Sequence, residues 1–226
     1  MKAALLFYQK FVGDLMTIGF ELNPYDPCIA NETINGKQIT LVWHFNDIKA
    51  SHVEAEVVTR MAKWLRKTYK RLFKDGSGKM KLCRGKVHDY LGMNLDYTIK
   101  DEVKITMIPY IKEMIQDFRE HNPSPDKKAN NPAAEFIFNV DDESRLVDDS
   151  RAKVFHNFLA KEHFATKIYR PDIHNAVAFL TTRVRGPNED DWNKLLRLMQ
   201  YLRNTTDMPL PLRADGTNIV KWWVDG

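Results

Sequence analysis

The sequence is poor in cysteine and in long apolar runs, and its charge is nearly balanced. Cys28 and Cys83 fit neither a metal-binding spacing nor a disulfide framework, so both are expected to be reduced intracellular thiols. The N-terminal apolar run, Ala3–Tyr8, is too short for a signal-peptide core or a membrane span. The net charge of +4 tolerates a polyanionic partner without requiring one. We therefore expect an intracellular protein, cytoplasmic or nuclear, that is not secreted and has no membrane partner.

The composition that remains is typical of a globular protein. The chain has 226 residues, of which 43% are hydrophobic and 28% charged. A chain of this size buries roughly 70% of its unfolded surface, which is enough for a substantial core. These values exclude a disordered protein and fit one large domain, or one and a half small ones.

Hydrophobic periodicity predicts an α+β fold. A helix over Met1–Gly19 carries apolar residues at helical spacing, and Asn35-Gly36 is a strong hairpin signal. Ile39, Leu41 and Trp43 alternate onto one face of the second hairpin strand. The predicted elements up to residue 121 are the hairpin strands Cys28–Glu32 and Gln38–His44, a helix over Val53–Leu72, strands near Tyr90–Tyr97 and Val103–Met107, and a helix starting at Ile108.

The second half reads as a linker followed by helices. Asn122–Pro132 contains three prolines and no large apolar residue, which is typical of a linker. An acidic stretch follows, and then three helices are predicted. The last of these has Asn188 as its N-cap and three acidic residues in its first turn, where the helix dipole favours negative charge. The predicted helices lie near Arg151–Phe164, around Ile173–Val184 and around Trp192–Leu202.

One segment has the pattern of a nucleotidyl-transfer site. In Leu41–Ser51 (LVWHFNDIKAS) a hydrophobic strand leads into a tight turn with an acidic residue, and a second strand follows. Nucleotidyl transfer needs two divalent cations roughly 4 Å apart, and such cations prefer carboxylate oxygens. The residues alone favour the simpler interpretation, because Asn46-Asp47 is also an ordinary turn pair whose side chains bond the local backbone.

Five segments in order resemble a copia-type retrotransposon polyprotein. LVWHFNDIKASH resembles the Tyr-x-Asp-Asp motif of reverse transcriptases in its His-x-Asp-Asp form, with His44, Phe45, Asn46 and Asp47 at the four positions. The stretch before it, LLFYQKFVGDLMTIGFELNPYDPCIAN, is similar to the preceding helix and strand of that family. The other three segments are VHDYLGMNLDY in the late palm, RPDIHNAVAFLTTRVRGPNEDDWNKLLRLMQYLRNT in the connection, and IVKWWVDG at the opening strand of ribonuclease H.

The resemblance implies a domain layout and a chemistry. Residues 1–121 would be the C-terminal part of the reverse-transcriptase palm, an antiparallel sheet with packed helices, running into the thumb. Residues 122–134 would be a linker, 135–209 a helical thumb and connection segment, and 210–226 the first strand of a truncated ribonuclease H domain. The family uses Mg²⁺ or Mn²⁺ and an RNA/DNA template–primer duplex, and contacts with the rest of the polyprotein are expected.

Departures from the family pattern predict that the chain is inactive as it stands. Asn46 occupies the position of the first aspartate, so a full negative charge is missing beside Asp47, the remaining candidate metal ligand. The family's upstream metal aspartate and its fingers would lie before this chain, and Asp225 matches the first ribonuclease H carboxylate without the others. Lys161, Glu162 and His163 replace a run of small residues and leucine, which calls the packing of that helix into question.

A basic segment supports a second function. Lys63–Lys86 contains ten Lys or Arg residues and one acid, Asp75, interleaved with aromatic residues. It is either a stripe that contacts nucleic-acid phosphates or a solvated helix face. Two alternatives to the polymerase fragment therefore stay open: a non-enzymatic, sequence-independent nucleic-acid-binding module, and a pseudogene product without function. The candidate contacts are Lys63, Arg66, Lys67, Lys70, Arg71 and Lys74.

Overall fold

The fold is α+β, as predicted, and divides into two compact units. The structure is a computed structural model that describes residues 2–45, 47–69, 80–122, 127–217 and 219. The first unit is Met1–Leu91 and the second is Gly92–Gly226. Across the described ranges the chain forms six α-helices and small antiparallel sheets. The finer assignment to a polymerase palm is taken up under Proposed function.

The first unit packs two helices against a four-stranded antiparallel sheet. The strands lie in the order β1-β2-β3-β4, so that each pairs with its neighbour in sequence. Phe11 and Leu15 of the first helix and Val57 of the second share one core with the sheet. The elements are α1 (Lys2–Thr17), β1 (Glu21–Leu22), β2 (Ile29–Ile34), β3 (Lys37–His44), β4 (Asp47–Ser51), α2 (Ala55–Thr68) and β5 (Val87–Tyr90).

The β2–β3 hairpin forms where the sequence predicts it. Asn35 and Gly36 both have positive φ, at 54° and 69°, which the two-residue hairpin turn requires and which these two residue types tolerate. The turn fixes the register, with Ile34 opposite Lys37 and Ala30 opposite Leu41. Because side chains alternate along a strand, Ile39, Leu41 and Trp43 all lie in the core, and this prediction is confirmed.

Helix α2 is shorter than predicted. It begins at Ala55 and ends at Thr68, rather than covering Val53–Leu72, and Leu72 lies outside the described residues. Val57, Met61 and Leu65 are buried as expected. The same helical spacing predicts that Thr68 faces inward, but Thr68 is exposed and this prediction is wrong. The reason is local, because the backbone leaves helical geometry at Tyr69, which caps the end by donating its N–H to the carbonyl oxygen of Leu65.

The second unit is mainly helical around one large apolar core. Strands β6, β7 and β8 pair antiparallel beside it, with Val103 opposite Leu212. Met107, Phe155, Leu195 and Leu198 are among its fully buried side chains. Its elements are β6 (Met93–Asp96), β7 (Glu102–Thr106), α3 (Ile108–His121), α4 (Asp149–Ile168), a 3₁₀ turn (Pro171–Ile173), α5 (His174–Thr181), α6 (Glu189–Asn204) and β8 (Leu210–Arg213).

The predicted N-cap of α6, Asn188, is confirmed. The side chain of Asn188 accepts a hydrogen bond from the N–H of Asp191, and the Asp191 carboxylate accepts one from the N–H of Asn188, which forms a capping box.

Helix α4 buries a carboxylate that the sequence does not predict to be buried. The helix continues through the atypical residues 161–163 to Ile168. Lys161 reaches the surface and pairs with Asp117 at 2.6 Å. Glu162 is fully buried, and neither of its carboxylate oxygens has a hydrogen-bond partner among the residues that the structure describes.

The predicted linker and terminal strand are described in part. Asn122 and residues 127–134 contain no helix or strand, and Ala129 is buried in the second core. The Asn131 side chain accepts a hydrogen bond from Arg197 of α6, so this segment packs on the helical unit. Asp225 lies outside the described residues, so its predicted ribonuclease H role stays a prediction.

Candidate functional site

The β3–β4 hairpin places its acidic residue at a tight, strained turn. His44 pairs with Asp47 and Trp43 with Ile48, leaving two residues in the loop. Phe45 is the first of these, with φ of +51°, a region that costs a bulky L-residue roughly 1–2 kcal/mol. Its ring is 64% exposed and meets His44 edge-on, with centroids 4.7 Å apart. Such strain in a defined turn is frequently associated with function. Asn46 lies outside the described residues.

Asp47 lies on the sheet face opposite the helices. Residues paired across an antiparallel sheet share a face, so Asp47 and His44 point to the same side. That side is opposite Trp43, which is 3% exposed and packs against Phe11 of α1 at a ring separation of 5.1 Å. Both His44 and Asp47 are exposed. A carboxylate at this position is accessible to a solvated cation or a ligand.

Tyr90 adds a group that the sequence reasoning missed. Its hydroxyl is buried without a hydrogen-bond partner in the described part of the chain. Burial raises the pKa of Tyr90 most, and the charges of Asp47, Cys28 and Asp26 raise it further. These charges act on one hydroxyl although they come from separate segments of the chain, and Tyr90 and Asp47 line a common cavity. No spacing in the sequence links them, so no sequence signal could have identified this grouping.

The acidic groups at the hairpin are few in number. Asp26 is partly committed to local structure, because its carboxylate accepts a hydrogen bond from Cys28 N at 2.8 Å. Among residues 2–45, 47–69, 80–122, 127–217 and 219, no three His, Cys, Asp or Glu side chains are grouped so that they could bind a metal ion. Asp47 is thus placed as a ligand could be, and the predicted metal role remains a prediction.

An apolar cavity of about 400 Å³ opens beside the hairpin, against α1. Its walls are largely aromatic, with Cys28 among the lining residues. Burial, followed by the charge of Asp26, raises the pKa of the Cys28 thiol, so this cysteine stays protonated at neutral pH. The aromatic lining residues are Phe7, Tyr8, Trp43, His44 and Phe45.

The predicted basic stripe is described in its first half. Lys63, Arg66 and Lys67 are exposed on α2. Over the described ranges, none of the three forms an ion pair. Lys70, Arg71 and Lys74 lie outside the described residues, so their predicted contacts stay predictions.

Comparison with known proteins identifies no relative. No family model, no curated protein and no solved structure matches this chain. Within the described ranges, no helix has both the length and the apolar character needed to cross a membrane.

Proposed function

We propose that this chain is a fragment of a copia-type reverse transcriptase, ancestrally an RNA-directed DNA polymerase, and that it is inactive as it stands. The observation that supports the proposal is the β3–β4 hairpin. It presents Asp47 at a strained two-residue turn, on the sheet face that the helices leave open. The predicted palm assignment requires an antiparallel sheet with helices on one face, and the first unit has this arrangement.

Asn46 is the basis for the proposed inactivity. A two-cation site works mainly by neutralising charge on the attacking and leaving oxygens, so its ligands must themselves be anionic. An amide at residue 46 supplies one neutral oxygen where a carboxylate would supply two oxygens and a negative charge. The donor set at this turn does not fit a pair of Mg²⁺ or Mn²⁺ ions.

A chimera provides a positive test of the proposal. This chain would replace the corresponding segment of an active copia-type reverse transcriptase, which supplies the remaining domains. We expect the unmodified chimera to extend a primer on an RNA template at least 100-fold more slowly than Asn46→Asp, because the added carboxylate restores charge at the turn. The matched control is Asn46→Asp with Asp47→Asn, which should again be inactive.

Two outcomes would contradict the proposal. Robust primer extension by the unmodified chimera would refute the inactivity. A soluble, folded Asn46→Asp chimera with no activity would refute the assignment of this turn to a polymerase site. Extension by the isolated chain, with or without Asn46→Asp, is not expected.

A second candidate function is sequence-independent binding of nucleic acid. Lys63, Arg66 and Lys67 on α2 favour it, because they are exposed, form no ion pair with a described residue, and phosphate contacts dominate such binding. It requires no metal and no catalysis. A third candidate is a pseudogene product without function. Absence of a cooperative unfolding transition would favour this third candidate over both others.

A further inference from the structure

The outer face of α2 carries a dense row of cations. Arg60, Lys63, Arg66 and Lys67 are all exposed, and Glu56 is the only acid within the helix. At about 100° per residue these four cations fall within roughly a third of the helix circumference. Arg60 and Lys67 are about 10 Å apart along the axis, a length that covers about three phosphates of one strand of a duplex.

A second segment packs against the same helix. Met80 packs against the core that contains Val57, Met61 and Leu65 of α2. Arg84 donates to Thr59 Oγ1 at 2.8 Å and to the carbonyl oxygen of Ala55 at 3.0 Å, in the first turns of the helix. Residues 80–84 and side chains of α2 line a common cavity of about 330 Å³.

Arg84 lies between two further exposed cations, Lys81 and Lys86. Lys81 and Lys86 flank it, both exposed and both without an ion pair in the part of the chain that the structure describes. The two Arg84 hydrogen bonds are the polar contacts that hold this segment against the helix, and they use two different guanidinium nitrogens. A lysine has a single terminal nitrogen, so it cannot reproduce this forked geometry.

The helical part of this basic surface faces outward, whereas the segment after it borders the Asp47 turn. Helix α2 buries Val57, Met61 and Leu65 in the core, so its exposed cations point outward from the helix layer. Lys81 and Arg84 line one cavity together with Asp47, so the segment that carries Lys81 reaches the neighbourhood of the β3–β4 hairpin.

We propose that Arg60, Lys63, Arg66, Lys67, Lys81 and Lys86 form one phosphate-binding surface for nucleic acid, and that Arg84 is its positioning residue. The proposal deepens the nucleic-acid-binding function above and does not depend on polymerase ancestry. The regular spacing of cations along a rigid helix favours a phosphate backbone over an acidic protein, and the apolar face of α2 is buried rather than available to a lipid surface.

The experiment measures how the affinity of the full chain for a labelled 16-base-pair duplex of arbitrary sequence depends on salt. Each phosphate contact contributes about 0.9 to the slope of log affinity against log salt. Lys63→Ala with Lys67→Ala should reduce the slope by about 1.8, and so should Lys81→Ala with Lys86→Ala. The matched control, Lys112→Ala with Lys153→Ala, removes two exposed lysines of the second unit and should leave the slope unchanged.

Arg84→Lys separates positioning from charge. If Arg84 acted as a point charge, the substitution would leave the slope unchanged. Because it positions Lys81 and Lys86, we expect a reduction approaching 1.8 although no charge is lost. An unchanged slope in Arg84→Lys overturns the positioning role, and equal slopes in the Lys63/Lys67 variant and its control overturn the surface. Duplex binding that polyglutamate displaces as effectively as unlabelled duplex overturns the choice of nucleic acid. The Lys81/Lys86 variant retains the test if Arg84→Lys does not fold, as judged by circular dichroism.

Discussion

The two units use their charged side chains in different ways. In the second unit Arg151, Arg170, Arg183 and Lys194 each pair with a carboxylate of the same unit. In the described part of the first unit the ion pair is Lys10–Asp14, and the cations on the outer face of α2 have none. Charges that are paired and partly buried contribute to holding a unit together, whereas exposed unpaired ones are available to partners. Paired charges therefore stabilise the second unit, whereas the exposed cations of the first unit are those proposed to bind a partner.

Arg170 is the clearest case of an internal charge. Its side chain is 1% exposed and donates to both Asp172 oxygens, at 2.9 and 2.8 Å. It also donates to the Thr205 hydroxyl at 2.7 Å, and Tyr201 donates to Asp172. Burial opposes ionisation of Asp172, but the hydrogen bonds from Arg170 and Tyr201 hold its pKa below the usual value. The network joins the end of α4 to the end of α6.

The largest expected effect is therefore the loss of Arg170. Arg170→Ala leaves the Asp172 carboxylate and the hydroxyl and carbonyl oxygens of Thr205 without their shared donor, which should cost about 3–5 kcal/mol in the free energy of unfolding. Urea unfolding of the full chain, followed by far-ultraviolet circular dichroism, measures it. Arg185→Ala is the control, because Arg185 is exposed and should change stability by no more than about 0.5 kcal/mol. Equal effects of the two substitutions would show that the network is not stabilising.

Glu162 is the exception in the second unit, because it is buried without a partner. Desolvation alone raises its pKa well above the ordinary value, and burial, followed by the charge of Glu162, raises the pKa of Tyr110. The folded protein therefore holds the Glu162 proton to a higher pH than the unfolded chain does. Stability from this group is complete below the unfolded pKa of about 4.3 and is lost as pH rises towards the folded value.

Replacing Glu162 should consequently stabilise the chain at neutral and higher pH. Glu162→Leu keeps a similar volume and removes the unsatisfied carboxyl, so we expect a gain of about 1–3 kcal/mol at pH 8 that shrinks towards pH 4. Unfolding measured at several pH values tests both the size and the sign. Glu120→Gln, at an exposed position of α3, should show no comparable trend. A stability difference that is independent of pH would mean that Glu162 is not protonated on folding.

The sequence predicted the parts of the fold that depend on local chemistry. Asn35-Gly36 specifies its hairpin because two positive φ angles are required in adjacent positions, and Asn188 specifies the start of α6 because a side-chain oxygen must accept the first N–H groups. The alternation of inward and outward side chains along β3 likewise predicted that Trp43 lies in the core. Each of these signals is contained within a few residues.

Contacts between distant segments were not predictable from one sequence. Nothing near Tyr90 indicates that its hydroxyl lies beside Asp47, and nothing near Arg84 indicates that it reaches Thr59. Residue type predicts an exposed side chain for Arg170 and Glu162, because most arginines and glutamates lie at the surface, but both are buried. The sequence does not show that Asp172 pairs with Arg170. The atypical residues 161–163 did indicate where the packing of α4 is unusual, although the sequence could not show that Glu162 is the one of the three that is buried.

The smallest stability effect should come from the cations of the first unit. Lys63 and Lys67 are exposed and form no ion pair with any described residue, so Lys63→Ala with Lys67→Ala should change the unfolding free energy by no more than about 0.5 kcal/mol. Removing two neighbouring like charges relieves repulsion, and alanine is at least as good a helix former as lysine, so any change should be slightly stabilising. Thermal melting of this variant beside Lys112→Ala/Lys153→Ala measures it. A loss of more than 1 kcal/mol would mean that these lysines serve the unit itself, and the contrast between paired and available charges would not hold.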